Sequence, residues 1–231
     1  MDKEFRRRLV TGILVWDLSS AFDTLDIELF LKKMEIYGAD KLTLNWFRSF
    51  LSERSQRVKI GSSTSPALRL VSGVPQGGIL SPIIFTLYTA DMELWLKTSK
   101  LFNFADDTTT DNKGKSLMEI KNRLEEDARN VLAYMASNGL VANQSKTEFL
   151  VLNSKEKNPL TKITVGNLVV LCTDHTKLLG IIIEESQEWN HHFKSLKSSL
   201  NQRLFMIRRI KNQIPGTKLI SIVHCLWISK L

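Results

Sequence analysis

The chain has 231 residues, 43% of them hydrophobic and 24% charged, enough apolar material for one large or two small packed domains and too much for a disordered segment. Net charge is +8, and the two cysteines, Cys172 and Cys225, supply neither a disulfide framework nor a zinc cluster, which fits an intracellular, reducing compartment, nucleus or cytoplasm. No apolar run reaches membrane-spanning length, since 219–228 is short and broken by His224, and the charged start Met1-Asp2-Lys3-Glu4 has no signal-peptide core behind it.

Val10–Trp16 is a compact apolar run of strand length that ends at Asp17. Asp26 is expected to cap a helix burying Ile27, Phe30, Leu31 and Met34, with Gly38 as its stop. Asp40 is expected to cap a second helix, with Leu42, Trp46, Phe47 and Phe50 on its apolar face. Gln56 to Ile60 alternates polar and apolar residues and turns through Gly61-Ser62-Ser63 towards Leu68 to Val71, a hairpin pattern. Ser72 to Leu80 reads as a loop. Ser81 is then expected to cap a helix with Pro82 at its first position, running to about Lys97.

Next comes Phe104-Ala105-Asp106-Asp107, between the apolar Leu101-Phe102 and the run Thr108-Thr109-Thr110. The pattern is a hairpin with acids at its tip. Asp favours turns for ordinary reasons, but adjacent carboxylates repel, and a hard cation such as Mg²⁺ would compensate them. Ser116 and Glu119 form a capping box for a helix with the stripe Leu117, Ile120, Leu124, Val131 and Met135, ended by Asn138-Gly139. Strands are expected over 147–152, 163–171 and 177–183. A long amphipathic helix follows over 189–212, with Phe193, Leu196, Leu200, Leu204 and Ile207 inward and Lys194, Lys197, Arg208 and Lys211 on another face. Pro215-Gly216 breaks it before a last apolar segment. Residues 187–231 carry eight Lys or Arg against one acid, Glu188, so nearly all the excess charge lies there. Such asymmetry suits either a polyanion partner, most simply nucleic acid, or a solvated helix face.

If the strands ending at Asp17 and at Asp106-Asp107 are neighbours in one sheet, three carboxylates converge, enough to hold two divalent ions for in-line phosphoryl transfer. No histidine base is needed, and His175, His191, His192 and His224 form no ligand pattern in the sequence.

Asp17-Leu-Ser-Ser-Ala-Phe-Asp23, Gly73-Val-Pro-Gln-Gly-Gly-Ile-Leu-Ser-Pro82 and Phe104-Ala-Asp-Asp107, in that order, resemble the A, B and C motifs of reverse transcriptases, in the form found in non-long-terminal-repeat (LINE-type) retrotransposons. The run from Leu51 to Arg57 and the Leu179-Gly180 segment, expected to be strand, resemble the same group. The resemblance implies an α+β fold: a polymerase palm with an antiparallel sheet flanked by helices over 1–186, with fingers-palm elements at about 26–72, and the start of a helical thumb over 187–231. It implies RNA-directed DNA synthesis on an RNA template and DNA primer, using dNTPs and two Mg²⁺ or Mn²⁺ ions.

Residue by residue, Asp17 and Asp106 match metal ligands, the Leu18 carbonyl is a further one that also borders the nucleotide, and Asp107 is the third acid. Phe22 matches the aromatic gate that excludes a 2′-hydroxyl, against the plainer reading of a core ring. Gln76 would contact the nascent pair or sugar, while Gly77 and Gly78 let backbone approach the template. Lys146 matches the lysine proposed to protonate pyrophosphate, against the alternative of a plain surface lysine. Phe104 and Ala105 adjoin primer and template, Leu179 and Gly180 resemble the primer grip, and Lys194, Lys197, Arg208 and Lys211 would line duplex backbone. Asp23 matches no metal position and reads as a helix-start or supporting residue.

Only sixteen residues precede Asp17, and Lys3 and Arg6-Arg7-Arg8 lie too close to the first strand to supply the family's fingers clamp for the triphosphate. The expectation is therefore a chain truncated at both ends, inactive alone, whose parent carries fingers and an endonuclease. Alternatives are a non-enzymatic RNA-binding derivative, an RNA-dependent RNA polymerase, which usually has a polar residue in place of Phe22 and Gly in place of Ala105, and a group II intron or retron relative.

Overall fold

Val10–Trp16 forms β1, the strand on which the rest is assembled. Its even-numbered residues are buried, with Leu14 at 0% and Trp16 at 1% exposure. The odd ones face the other side, as the two-residue period of a strand requires. Gly12 marks where helix α5, Leu117–Ser137, lies against the strand: a Cβ there would meet Ile120 Cγ2 and Leu124 Cδ1, each at 2.6 Å. The absent side chain is what admits the helix so closely.

The computed structural model describes residues 9–154 and 162–226 and divides into two compact units, Met1–Asp174 and His175–Leu231. Expectations at Lys3, Arg6, Arg7 and Arg8 lie outside the described residues.

In the first unit, α1 (Ala21–Thr24), α2 (Ile27–Ile36) and α3 (Lys41–Leu51) follow β1. Asp26 and Asp40 cap α2 and α3 as expected, their carboxylates accepting from the Leu29 and Thr43 amides at 2.9 and 2.8 Å. The apolar face of α3 is narrower than expected, since Leu42 and Trp46 are 79% and 50% exposed and the fully buried residue is Leu51. The expected hairpin is interrupted: β2 (Ser55–Gln56) pairs with β5 (Leu68–Arg69), and β3 (Lys59–Ile60) pairs with β4 (Ser63–Thr64).

Helix α4, Ser81–Tyr88, starts one residue earlier than expected. Leu80 is its cap residue, and the Ser81 hydroxyl donates to the Pro75 carbonyl instead of capping. It is also shorter than expected: the chain tightens into a 3₁₀ turn over Ala90–Trp95. Behind the sheet Lys33, 7% exposed, ties these helices together. Its ammonium donates to the Tyr88 carbonyl at 2.8 Å, Asp91 Oδ1 at 2.6 Å and the Tyr134 hydroxyl at 3.0 Å. A buried charge persists when it is paired and hydrogen-bonded in this way.

Among the described residues, six strands form the main sheet in the order β6-β7-β1-β8-β10-β9. Here β6 is Lys100–Phe104, β7 Asp107–Gly114, β8 Glu148–Leu152, β9 Lys162–Val165 and β10 Leu168–Thr173. The expected strand over 163–171 is instead the β9–β10 hairpin, turned at Gly166, whose φ is +58°. Because β9 takes the outer edge, β10 returns beside β8, and these two run parallel in an otherwise antiparallel sheet. The Asp127 carboxylate on α5 fixes the entry to β6, accepting from the Lys97, Thr98 and Ser99 amides and the Thr98 hydroxyl. Burial by itself would raise its pKa, but these bonds hold it below the usual carboxylate value.

The second unit holds β11 (His175–Leu178), β12 (Ile181–Glu184), α6 (Asn190–Ile210) and α7 (Gly216–Leu226). The expected strand over 177–183 is again a hairpin, and Leu179 and Gly180, expected in a strand, are its turn, with φ of +47° and +89°. Ile207 is buried on α6, but Phe193, expected inward, is 63% exposed.

Candidate active site

The strand register brings the acids together. β1 and β7 are antiparallel neighbours with Trp16 opposite Thr108, so the next residue of each, Asp17 and Asp107, face one another. Strand alternation carries both to the side away from α5. The register is pinned from behind, where the buried Trp16 Nε1 donates to Thr110 Oγ1 at 3.1 Å. Asp106 stands in the two-residue turn that joins β6 to β7, closed by the Phe104–Asp107 pair. That turn puts Ala105 at φ +55°, a left-handed conformation a non-glycine residue adopts only where a tight turn imposes it.

The electrostatics agree with this convergence. Asp107 is held above the usual carboxylate value by partial burial and then by the charges of Asp106 and Asp17. Lys146 Nζ lies 3.9 Å from Asp17 Oδ2, with the lysine side chain well exposed and that of Asp17 partly so, so the pair offsets little of the repulsion. An oxygen-only donor set with surplus negative charge suits a hard divalent cation. Lys146 is placed here by main-chain pairing: Asn143 N donates to Asp17 O at 2.7 Å and Ser19 N to Val141 O at 2.9 Å. The loop carrying Lys146 is thereby laid along the residues that follow β1.

A second ring of contacts joins the turn after β1 to the loop before α4. Val74 N donates to Phe22 O at 2.7 Å, Gly73 N to Leu25 O at 2.8 Å, and Ser72 Oγ to Asp23 O at 2.9 Å. A Cβ on Gly73 would fall 2.7 Å from Phe22 O and 2.8 Å from Asp23 Cα, and its φ is +78°, so both space and backbone require glycine. Gln76 Nε2 donates to Asp23 Oδ1 at 2.8 Å, which makes Asp23 the residue that aims Gln76. The Phe22 ring packs against Phe85 with centroids 5.2 Å apart. Phe22, Gln76, Gly77, Gly78, Leu18 and Asp106 all line one cavity of about 480 Å³ beside the acids.

Arg54 lies in the run from Leu51 to Arg57 but had no role assigned from the sequence. Its guanidinium donates to the carbonyls of Leu51 (2.8 Å), Ser72 (3.1 Å) and Gly73. The run marks the residue without giving these partners, because carbonyl acceptors carry no sequence identity. Beside it lies a larger cavity of about 820 Å³, bordered by Arg69, Gln56, Asp23 and Gln76.

The remaining assigned residues lie in the second unit. Leu179 and Gly180 form the β11–β12 turn. Lys194, Lys197, Arg208 and Lys211 are all exposed; at about 100° per residue Lys194, Lys197 and Arg208 share one arc of α6, while Lys211, the residue that caps its end, falls in line with Leu200 and Leu204.

Residues 2–214 match the family model described as reverse transcriptase (RNA-dependent DNA polymerase). The chain is 24% identical over 197 residues to a probable RNA-directed DNA polymerase from transposon X-element of Drosophila melanogaster, an alignment covering 83% of this chain and 21% of that protein. It is 22% identical over 225 residues to the RNA-directed DNA polymerase from mobile element jockey of Drosophila funebris, covering 93% and 24%. The chain thus spans less than a quarter of the length of these relatives. Among solved structures, apo telomerase from Candida tropicalis superposes with a TM-score of 0.53 over 77% of this chain and 32% of that one, at 13% identity. This is a likeness of fold.

Proposed function

We propose a polymerase role for this chain, which belongs to the reverse transcriptase (RNA-dependent DNA polymerase) family: it adds dNTPs to a DNA primer 3′-hydroxyl on an RNA template. The observation that carries the reading is the strand register that sets Asp17 opposite Asp107 with Asp106 in the adjoining turn. In this reading residues 1–186 act as palm and 187–231 as the start of a thumb.

Asp17, Asp106, Asp107 and the Leu18 carbonyl would hold two Mg²⁺ or Mn²⁺ ions. When bound, such ions activate the primer hydroxyl and neutralise the triphosphate and its leaving group. The chain's own residues do the placing. Phe22, backed by Phe85, closes the cavity floor under the sugar. Gln76, aimed by Asp23, meets the nascent pair or sugar, and Gly77 and Gly78 leave room for template backbone. Lys146 is poised to give a proton to pyrophosphate, Phe104 and Ala105 adjoin the primer end, and Leu179 and Gly180 grip the primer. The basic face of α6 follows duplex phosphates. A phenylalanine at position 22 and DNA polymerases as relatives favour deoxynucleotides over an RNA-polymerase role.

The test is primer extension on an RNA template by the chain, joined to the flanking segments of a jockey-type relative where the 231 residues alone do not extend. Asp17→Asn and Asp106→Asn are each expected to lower the rate by roughly a thousandfold or more, the scale of removing metal-borne charge stabilisation, while RNA binding survives. Near-normal extension by either variant rejects the site.

A further inference from the structure

Arg54 sits outside the proposed chemistry yet holds the loop on which that chemistry depends. It is half-buried just beyond the C-terminal end of α3. Its Nε satisfies the Leu51 carbonyl, one of the acceptors a helix leaves open at its last turn. Its Nη2 reaches the two successive carbonyls of Ser72 and Gly73. The planar fork can serve helix end and loop together, which the single ammonium of lysine does less well.

What the loop holds in turn is the backbone of Phe22 and Asp23. Three bonds run from Ser72, Gly73 and Val74 to the carbonyls of Asp23, Leu25 and Phe22. Gly73 is nested so tightly on Phe22 and Asp23 that even a methyl group would collide. The loop therefore lies between Arg54 on one side and the sugar-facing turn on the other. Loosening the first contact frees the second.

We propose that Arg54 is a positioning residue for nucleotide sugar selection: by clasping the Ser72 and Gly73 carbonyls it fixes the Phe22 main chain, and so the gate that separates deoxyribose from ribose. The inference rests on the polymerase reading. It adds a residue that touches neither nucleotide nor metal, acting through two carbonyls and one glycine.

Two variants test it, Arg54→Ala and Arg54→Lys, with Arg69→Ala as the control that borders the same large cavity without clasping the loop. The first readout is independent of activity: amide hydrogen exchange at Gly73 and Val74 in the 231-residue chain. Loss of the clasp is expected to speed exchange there about tenfold in Arg54→Ala and less in Arg54→Lys, with Arg69→Ala unchanged. The second is the ratio of dNTP to rNTP incorporation in the extending protein, expected to fall about tenfold in Arg54→Ala and partway in Arg54→Lys. If Arg54→Ala does not fold, Arg54→Lys against wild type decides alone. Unchanged exchange overturns the clasp. Faster exchange with an unaltered sugar ratio overturns the gating role and leaves Arg54 as a structural brace. If the chain joined to the flanking segments of a jockey-type relative makes no template-directed product, or its Asp106→Asn variant still makes it, the polymerase reading is overturned and the gating role with it, whatever the exchange data show.

Discussion

The Gln76 side-chain amide donates a 2.8 Å hydrogen bond to the Asp23 carboxylate, across 53 residues of sequence. Asp23 thus turns Gln76 towards the cavity shared with Phe22 and Asp106. Both groups are exposed, so water competes for the bond and it adds little to stability; its effect is to orient the Gln76 amide. Asp23→Ala is expected to raise KM for the correct dNTP by about tenfold with a smaller change in kcat. Steady-state single-nucleotide incorporation measures both; an unchanged KM would show that Gln76 needs no orienting partner.

The acid cluster makes a prediction about stability. Asp107 has its folded pKa raised by burial and by Asp106 and Asp17. A carboxyl with a raised folded pKa favours the folded state most at low pH, and that contribution is lost as pH rises from 3.8 through the folded value. At neutral pH the cluster therefore opposes folding, and a divalent cation offsets it. Thermal melts at pH 7 should show Mg²⁺ or Mn²⁺ raising Tm in the wild type and much less in Asp107→Asn. Without metal, Asp107→Asn should melt about 2 °C above wild type. Equal metal shifts in both proteins would place the ion elsewhere.

Phe22 packs against Phe85 with the rings tilted by 39° and also borders the cavity. Phe22→Ala should raise rNTP relative to dNTP use by roughly ten- to a hundredfold, the range that pocket shape alone discriminates. Competition between dCTP and CTP in primer extension reads this directly, and a constant ratio would return Phe22 to a packing role.

Three basic residues of α6 and Lys211 at its C-terminal cap bear on affinity alone. Neutralising Lys194, Lys197, Arg208 and Lys211 together should weaken duplex binding regardless of sequence and flatten the log–log salt dependence by about 0.9 for each phosphate that is no longer neutralised. Fluorescence anisotropy across a salt series checks it. A slope identical to wild type would leave these side chains as solvated surface.

Sequence legibility followed chemistry that is local. Asp26 and Asp40 announced their helices because a cap needs only a short polar side chain and the next turn. β1 was readable as an unbroken apolar run ending in an acid, and the Phe104–Asp107 turn as two acids between strand-prone segments. The hairpin at 175–184 reads as a single strand because its apolar residues continue through the turn, with Gly180 as the sole punctuation, whereas the one at 162–173 carried a turn signal in Gly166-Asn167 that the flanking apolar residues masked. Leu42 and Trp46 fit a helical stripe yet stay exposed, since periodicity marks a face without saying how much of it is covered. In the site, the acids, Phe22 and Gln76 carried family motifs. The clasping role of Arg54 and the aiming role of Asp23 were not legible, because their partners are brought close by the fold across 18 to 53 residues.

Trp16, immediately before Asp17, is 1% exposed, whereas Trp46, Trp95 and Trp189 are 42–50% exposed. With Trp227, which lies outside the described residues, replaced by Phe, iodide in solution reaches and quenches the exposed indoles and leaves Trp16 to emit. Its ring is locked to Thr110 and stands one residue from the acids, where a change of local charge alters its electrostatic surroundings. The protein thus carries a built-in optical reporter at its centre: with quencher present, a titration of Mn²⁺ or Mg²⁺ can be followed as a change in the residual emission, with no label attached.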